Sequence, residues 1–150
     1  MMKNDGSFPL LVGKTVSFSK TVSESDIYLF AGITGDFARN HVDKEFMARS
    51  AYGERIAHGA LLVGFMSNTS TMILEGIDFS DETPVSLGYD RIRFLKAVVI
   101  GDTITVTYKI DDIDQERRRT RAGIEITNQH GDLVAVAEHI LKLVANPLPG

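Results

Sequence analysis

The sequence predicts an α+β domain in which a curved antiparallel sheet of about five strands wraps around one long central helix. Three observations predict this fold class. The segment 58–75 is apolar on nearly every side in its first half, as in a helix that is buried all round. The chain after Pro84 is rich in β-branched residues and alternates with a period of two in several runs. A length of 150 residues suits one domain with its own core.

The first elements lead to a helix that ends at a glycine. Residues 1–10 are expected to form a loose leader, and residues 13–19 a short strand. Ser23 and Asp26 have the spacing of a capping box, and apolar residues follow them at helical spacing. Gly35 is typical of a residue that ends a helix in the left-handed conformation. The pattern therefore predicts a helix that delivers Asp36 just past its C-terminal end.

The middle of the chain leads from this helix to the central one. Residues 36–43 are expected to form a loop, and residues 44–51 one or two helical turns with Phe46 and Met47 facing inward. Another turn is expected at residues 52–55. The central helix follows over 58–75, and Gly76 is expected to end it.

The remaining chain predicts four strands, at residues 85–95, 103–113, 120–127 and 133–143. Short polar connections, Gly101-Asp102 and residues 128–132, are typical of turns between strands. The charged segment 111–119 is expected to form a bend or a hairpin, and residues 146–150 a frayed end.

The composition excludes several kinds of site and partner. The chain has no cysteine, which excludes a disulfide framework, a thiolate nucleophile and a cysteine zinc site. Its net charge of −4 does not favour nucleic acid as a partner. Residues 1–9 lack the apolar core of a signal peptide, and no apolar run is long enough to cross a bilayer. A cytoplasmic protein without membrane association is therefore expected.

The stretch 35–59 carries the candidate functional residues. Asp36 and His41 lie on the expected loop, and histidine has an unperturbed pKa of about 6.5 that suits proton transfer at neutral pH. Gly59 at the start of the central helix offers an unpaired N–H that the helix dipole assists. Glycine also lets a ligand approach the backbone closely. The pattern thus places an acid, a histidine and a helix-start glycine within one short stretch of the chain.

Each of these residues also has a purely structural interpretation. Asp36 can be a turn residue, His41 a hydrogen-bonded loop histidine, and His58 a helix-start residue. A metal site formed by His41, Asp43 and His58 matches no strong ligand spacing, so no metal is expected. Ser67 as a covalent nucleophile lacks the strand-to-helix turn of the serine hydrolases.

Two paired motifs, in their order and spacing, carry a family likeness. They are Gly35-Asp36-Phe37 leading to His41-Val42-Asp43, and then Ile56-Ala57-His58-Gly59. With them the chain resembles the MaoC-like dehydratases, or (R)-specific enoyl-CoA hydratases, of the hot-dog fold. Residues 23–31, Ser67 and a weaker match at 95–103 add to the likeness, which covers nearly the whole chain and is specific across about Ser23–Ser67. The resemblance implies one hot-dog domain over residues 1–150.

The resemblance also implies a reaction and a role for each residue. The reaction is the reversible addition of water to a trans-2-enoyl thioester of coenzyme A, with (R)-hydroxy stereochemistry. Asp36 and His41 would be its acid–base pair, and the amide of Gly59 would bind the thioester oxygen. The resemblance places Ser67 near the pair, and His58, from its position at the helix start, is expected to support the site mainly as a structural residue. No cofactor is implied, because coenzyme A is part of the substrate, and a homodimer or a higher homo-oligomer is expected.

The loop between the acid and the histidine departs from the family pattern. The family loop reads Asp-Phe-Asn-Pro-aliphatic-His, whereas this chain has Ala38, Arg39 and Asn40 in the three positions before His41. Arg39 and Asn40 add polar groups close to the expected site. A more polar acyl group is therefore a reasonable hypothesis for the substrate.

Two other functions remain open for this chain. One is an acyl-CoA thioesterase on the same fold, and the other is a non-catalytic hot-dog module that binds acyl thioesters. The altered loop is the best support for the second alternative. The sequence also does not choose among the basic residues that could meet coenzyme A phosphates, which are Arg91, Arg93, Lys96, Arg117, Arg118 and Arg119.

Overall fold

Within residues 7–147, the part of the chain that the computed structural model describes, one strand is followed by four helices and then by four strands. The elements are β1 (Thr15–Thr21), α1 (Glu24–Thr34), α2 (Arg39–Val42), α3 (Lys44–Ala48), α4 (Gly59–Met72), β2 (Glu82–Phe94), β3 (Thr103–Asp114), β4 (Arg119–Thr127) and β5 (Leu133–Ala145). This order agrees with the predicted one, except that the loop predicted at 36–43 contains the short helix α2.

The strands form one five-stranded antiparallel sheet, as predicted, and their order in it is β1-β3-β4-β5-β2. Burial alternates along the central strands, so that one side of the sheet faces α4. The hairpin between β3 and β4 lies inside the charged segment 111–119, also as predicted. β2 lies at one edge of the sheet, so its outer side has no partner strand within residues 7–147. Its pairing with β5 has register shifts at Ser86/Gly88 and at Asp90/Arg93.

The central helix α4 covers the sheet with one face only. The side chains buried in the sheet-facing core are Leu62, Met66, Thr69 and Ser70. The residues exposed on the opposite face include Ala60, Gly64, Ser67 and Asn68. The prediction of burial on every side is therefore wrong for the single chain, because no other element within residues 7–147 lies over that face. α4 ends at Met72, and turns continue to Gly76. No helix in this range is long and apolar enough to span a membrane.

Residues near both ends of the described range are better anchored than the sequence predicts. Phe8 and Leu10 are 8% and 1% exposed and belong to the core, so the expectation of a loose leader is wrong at these residues. Residues 1–6 lie outside the described range. The N–H of Asn146 donates to the carbonyl of Asp81 at 2.9 Å, and its side-chain amide donates to the carbonyl of Ser80 at 3.0 Å. The expected frayed end therefore does not begin at Asn146, and residues 148–150 lie outside the described range.

The short helix α3 buries one of its two predicted inward residues. Met47 is 2% exposed, as predicted, whereas Phe46 is 39% exposed. Neighbouring residues in a helix point about 100° apart, so a single short turn on the surface cannot direct both inward. The ring of Phe46 instead lies under the guanidinium of Arg39, 4.1 Å from its centre.

Candidate active site

The C-terminal end of α1 places Asp36. The Oγ of Ser23 accepts the N–H of Asp26 at 3.1 Å, and the Asp26 carboxylate accepts the N–H of Ser23 at 2.9 Å, which is the predicted capping box. At the other end Gly35 is left-handed, with φ 80° and ψ 5°. The chain therefore turns sharply out of the helix, and Asp36 is exposed directly after the turn. Its Oδ1 accepts the N–H of Ala38 at 3.3 Å.

The short helix α2 places His41, which is 8% exposed. Its Nδ1 lies 2.7 Å from the carbonyl oxygen of Ile56. A carbonyl can only accept, so Nδ1 carries the proton, and in the neutral ring Nε2 keeps its lone pair. The N–H of Ile56 in turn donates to the carbonyl of Asn40 at 3.0 Å. These two bonds orient His41 so that it can take a proton at Nε2.

His58 connects the acid to the histidine. It is the residue before α4 and is only 2% exposed. Its Nε2 lies 2.9 Å from the main-chain carbonyl oxygen of Asp36, which fixes the proton on Nε2. Its ring stacks on His41 with 3.7 Å between the ring centres and 26° between the planes. A carboxylate oxygen of Asp36 and one ring nitrogen each of His41 and His58 lie within 4.8 Å of one another. The predicted residues therefore meet.

An acid and two histidines at this separation have the composition of a metal site. An imidazole binds a metal through a lone pair in the plane of its ring. The rings of His41 and His58 are stacked, so their lone pairs run side by side instead of converging. One nitrogen of each ring also donates to a carbonyl. The arrangement suits proton transfer better than metal coordination.

Gly59 begins α4 and brings its amide to the same place. No side chain caps this helix start, so its first N–H groups and the positive end of the helix dipole point outward. A Cβ atom built on Gly59 would lie 2.5 Å from Cε2 of Phe94. A side chain at this position would therefore have to displace the ring of Phe94, which is 53% exposed, whereas glycine lets the helix start beneath the ring.

A cavity of about 420 Å³ opens beside these groups, between α2, the start of α4 and the chain after β2. His41 and Gly59 line it, together with apolar side chains and the polar side chains of Asn40 and Lys96. Phe94 and Tyr52 also line it, although the sequence pattern does not single them out. Only the tertiary structure brings them to the site. The cavity thus joins the histidine and the helix amide in one apolar, partly open space.

The altered loop contributes one side chain to this cavity. Asn40 lines it, whereas Arg39 turns away and binds the carboxylate of Asp43 through Nε at 3.0 Å. The N–H of Phe46 and then the guanidinium of Arg39 hold the pKa of Asp43 below its usual value. Asp43 therefore serves the start of α3 and is not part of the acid–base cluster.

Ser67 lies outside the cavity. It is eight residues beyond Gly59 on α4, which corresponds to roughly 12 Å along the helix axis. Burial raises the pKa of the Tyr89 phenol, and the side chains of Ser67 and Ser70 act in the opposite direction. A supporting role for Ser67 in the reaction therefore stays a prediction.

Several of the candidate basic residues form ion pairs. Arg91 binds Glu138 at 2.7 Å and Arg117 binds Asp114 at 3.2 Å. Lys96 pairs with Asp132 and also lines the cavity. Of the basic residues considered for coenzyme A phosphates, Lys96 is therefore the one at the cavity.

Comparison with known proteins agrees with this geometry. A family model described as the MaoC-like domain matches residues 8–131. An (R)-specific enoyl-CoA hydratase from Rhodospirillum rubrum is 36% identical over 107 residues, which cover 71% of this chain and 69% of that protein. A 3-hydroxybutyryl-CoA dehydratase from Methylorubrum extorquens is 35% identical over 113 residues, which cover 75% of this chain and 68% of that protein.

A solved structure supports the same assignment. The (R)-hydratase from A. caviae, described as involved in PHA biosynthesis, superposes with a TM-score of 0.78 at 26% identity and covers 91% of this chain and 98% of its own. The hot-dog fold and the family likeness predicted from the sequence are confirmed. The chain belongs to the MaoC-like dehydratase family.

Proposed function

We propose that the protein is an (R)-specific enoyl-CoA hydratase that adds water reversibly to a trans-2-enoyl-CoA. One observation carries the proposal: Asp36 and His41 meet in one cluster, and His41 shares a cavity with the start of α4 at Gly59. The names of the relatives, an enoyl-CoA hydratase and a hydroxyacyl-CoA dehydratase, support the same chemistry.

The residues divide the chemistry between them. A water molecule between the Asp36 carboxylate and Nε2 of His41 loses a proton to the pair as its oxygen bonds to the β-carbon of the substrate. The α-carbon takes up one proton, so the overall change is the addition of one water. Negative charge that develops on the thioester oxygen is stabilised by the amide of Gly59 and the dipole of α4. The thioester itself activates the alkene, so the proposal includes no metal and no separate cofactor.

The cavity also bears on the choice of acyl group. Its walls are mainly apolar, but Asn40 places an amide among them where the family pattern has an aliphatic residue. Asn40 is half-buried, and a bound ligand would shield its amide from water, so the amide is stabilised when the ligand offers it a hydrogen bond. We therefore propose a substrate whose acyl group carries a polar atom. In a panel of straight-chain, branched and dicarboxylic enoyl-CoAs, the substrate with such a polar group is expected to have the highest kcat/KM.

The proposal includes a homodimer in the cytoplasm. The exposed face of α4 and the unpaired edge of β2 lie open in the single chain. An open strand edge presents unpaired N–H and C=O groups that a second strand can satisfy. A second copy of the chain would cover these surfaces. The proposal includes neither nucleic acid nor a membrane as a partner.

Hydration assays with the Asp36→Asn and His41→Ala variants test the function. Each change is expected to lower kcat on crotonyl-CoA by about 10²- to 10⁴-fold, because a positioned acid or base contributes about that much. Loss of the enoyl absorbance measures hydration, and a thiol reagent measures thioester cleavage. Asp43→Asn and His130→Ala are matched controls outside the acid–base cluster, and their kcat is expected to stay at the wild-type value.

The same assays separate the alternatives. Release of thiol without hydration by the wild type would establish the thioesterase. If the wild type binds the thioesters and catalyses neither reaction, the non-catalytic module is correct. If the Asp36 and His41 variants hydrate at the wild-type rate, the assignment of the site is wrong.

A further inference from the structure

His58 touches both members of the acid–base pair and the residue that starts α4. Its Nε2–H donates to the main-chain carbonyl of Asp36 at 2.9 Å, and its ring stacks on His41 at 3.7 Å between centres. Gly59 follows it directly in the chain. A tilted contact with Phe30, at 4.7 Å between ring centres, adds α1 to the same group. The side chain of His58 thus contacts Asp36 and His41 and lies next to Gly59, the three residues that the proposed reaction needs at fixed relative positions.

Packing alone does not account for a histidine at this position. Nδ1 of His58 is buried and has no hydrogen-bond partner among residues 7–147. A buried acceptor without a partner destabilises the folded state, and a phenylalanine would fill a similar space without that penalty. The feature that a phenylalanine lacks is the Nε2–H group. The bond to Asp36 is therefore the distinctive contribution of the histidine.

Asp36 has few other restraints. It is exposed just after Gly35, its N–H donates to Oγ1 of Thr34 at 3.2 Å, and its Oδ1 accepts the N–H of Ala38 at 3.3 Å. All of these partners lie within two residues of Asp36, so they move with the same turn. The bond from His58 is the restraint that ties this turn to α4 and hence to Gly59.

We propose that His58 is a positioning residue whose Nε2–H bond fixes Asp36 relative to the amide of Gly59. The inference rests on the proposed hydratase reaction, because its main consequence is a loss of rate. His58 is 2% exposed, so the substrate does not touch it and its effect falls on kcat and not on KM. A displacement of about 1 Å at a reacting group can lower a rate by about 10²-fold.

Three substitutions separate the bond from the ring. His58→Gln keeps an N–H donor at about the reach of Nε2, His58→Phe keeps the flat ring, and His58→Asn has an amide too short to reach the Asp36 carbonyl. His58→Phe and His58→Asn are expected to lower kcat on crotonyl-CoA by about 10- to 100-fold with KM within about twofold. His58→Gln is expected to keep most of kcat. His130→Phe, on an exposed turn residue, is the matched control.

Thermal unfolding of each variant shows whether it is folded under the assay conditions. The inference is overturned if His58→Phe keeps the wild-type kcat, because the ring would then suffice. It is also overturned if His58→Gln loses as much kcat as His58→Asn while both remain folded. Recovery of kcat by glutamine alone is the result that a packing role would not produce.

A structural readout separates this inference from the proposed function. If the wild type hydrates no enoyl-CoA, the function fails, and crystal structures of the variants then decide the positioning role. The turn at Asp36 is expected to shift away from α4 in His58→Phe and to stay in place in His58→Gln. An unchanged turn in His58→Phe would overturn the inference whatever the activity of the protein.

Discussion

At the scale of single residues, His139 couples the core to pH. It is fully buried on β5, with Nδ1 2.9 Å from the hydroxyl of Tyr108 and Nε2 2.8 Å from Oγ of Ser86. The ring of Tyr89 lies against it, 4.6 Å between centres. Burial lowers the pKa of His139 from 6.5 to about 4, and it raises the pKa of Tyr108. Between about pH 6.5 and 4, His139 is therefore protonated in the unfolded chain but stays neutral in the folded protein.

This difference predicts a loss of stability in mild acid. The pKa is lower in the folded state, so stability is full above the unfolded value of 6.5 and falls as the pH drops toward about 4. The free energy of unfolding is expected to fall by about 2 kcal/mol between about pH 7 and 5 from this residue alone. Urea denaturation across this range measures it. His139→Gln, which cannot titrate, is expected to show a smaller fall, and parallel falls in both proteins would contradict the prediction.

At the scale of secondary-structure elements, two glycines near the end of α1 differ in backbone conformation, because Gly32 is helical and Gly35 is left-handed. Gly32 lies inside the helix, and a Cβ built on it meets no atom within 4 Å. Gly35 has equal space around it but a φ of 80°, which disfavours every residue with a Cβ. The same substitution at these two positions therefore separates helix propensity from backbone strain.

Gly32→Ala is expected to raise the free energy of unfolding by about 0.5–1 kcal/mol, because alanine loses less entropy than glycine in a helix. Gly35→Ala is expected to lower it by about 1 kcal/mol or more through left-handed strain. Because Gly35 directs Asp36, its substitution is also expected to reduce kcat, whereas Gly32→Ala leaves kcat unchanged. Urea denaturation and the crotonyl-CoA assay check both effects. A loss of stability at Gly32, or none at Gly35, would contradict this account.

Sequence patterns predict those parts of the elements that are encoded locally. The capping box of Ser23 and the stop at Gly35 are recognisable because a helix end depends on a few neighbouring residues. The short helix α2 is not recognisable, because Ala38 precedes it and offers no side-chain cap. The orientation of α2 depends on the hydrogen bond between Asn40 and Ile56, which joins residues far apart in the sequence.

At the scale of the whole molecule, the open face of α4 predicts the size of the assembly. The mass in solution by light scattering is expected to be at least twice the chain mass of 16.5 kDa. Gly64 lies on that face, and a Cβ on it meets no atom within 4 Å in the single chain. Gly64→Glu is therefore harmless to a monomer but would place a charge in a covered interface. It is expected to lower the mass to that of one chain.

Gly32→Glu is the matched control, because it is the same substitution on an exposed helix position. It is expected to keep the mass of the wild type. A wild-type mass of one chain would contradict the predicted dimer. An unchanged mass in Gly64→Glu would place the interface elsewhere on the molecule.

The sequence predicts the architecture better than the surroundings of the site. Alternating strands and one apolar helix determine which faces must meet, so the sheet and α4 follow from hydrophobic pattern alone. The pattern cannot tell whether Ala60 and Gly64 are covered by their own chain or by another, because an apolar position has the same signal in both cases. Asp36, His41 and Gly59 are recognised through their spacing. Phe94, which lies against Gly59 from 35 residues away, has no such local signal.

The bonds around Ile56 have a consequence for how the chain can vary in length. The N–H of Ile56 donates to the carbonyl of Asn40, and its carbonyl accepts from Nδ1 of His41. These bonds join the residues on either side of the segment 43–55 without involving any residue inside it. Lengthening a closed loop costs only about 0.6 kcal/mol for each doubling of its length. Tyr52 and Gly53 are exposed within this segment, and Tyr52 borders the cavity. An insertion there would rebuild the rim of the cavity while the acid–base pair stays in place.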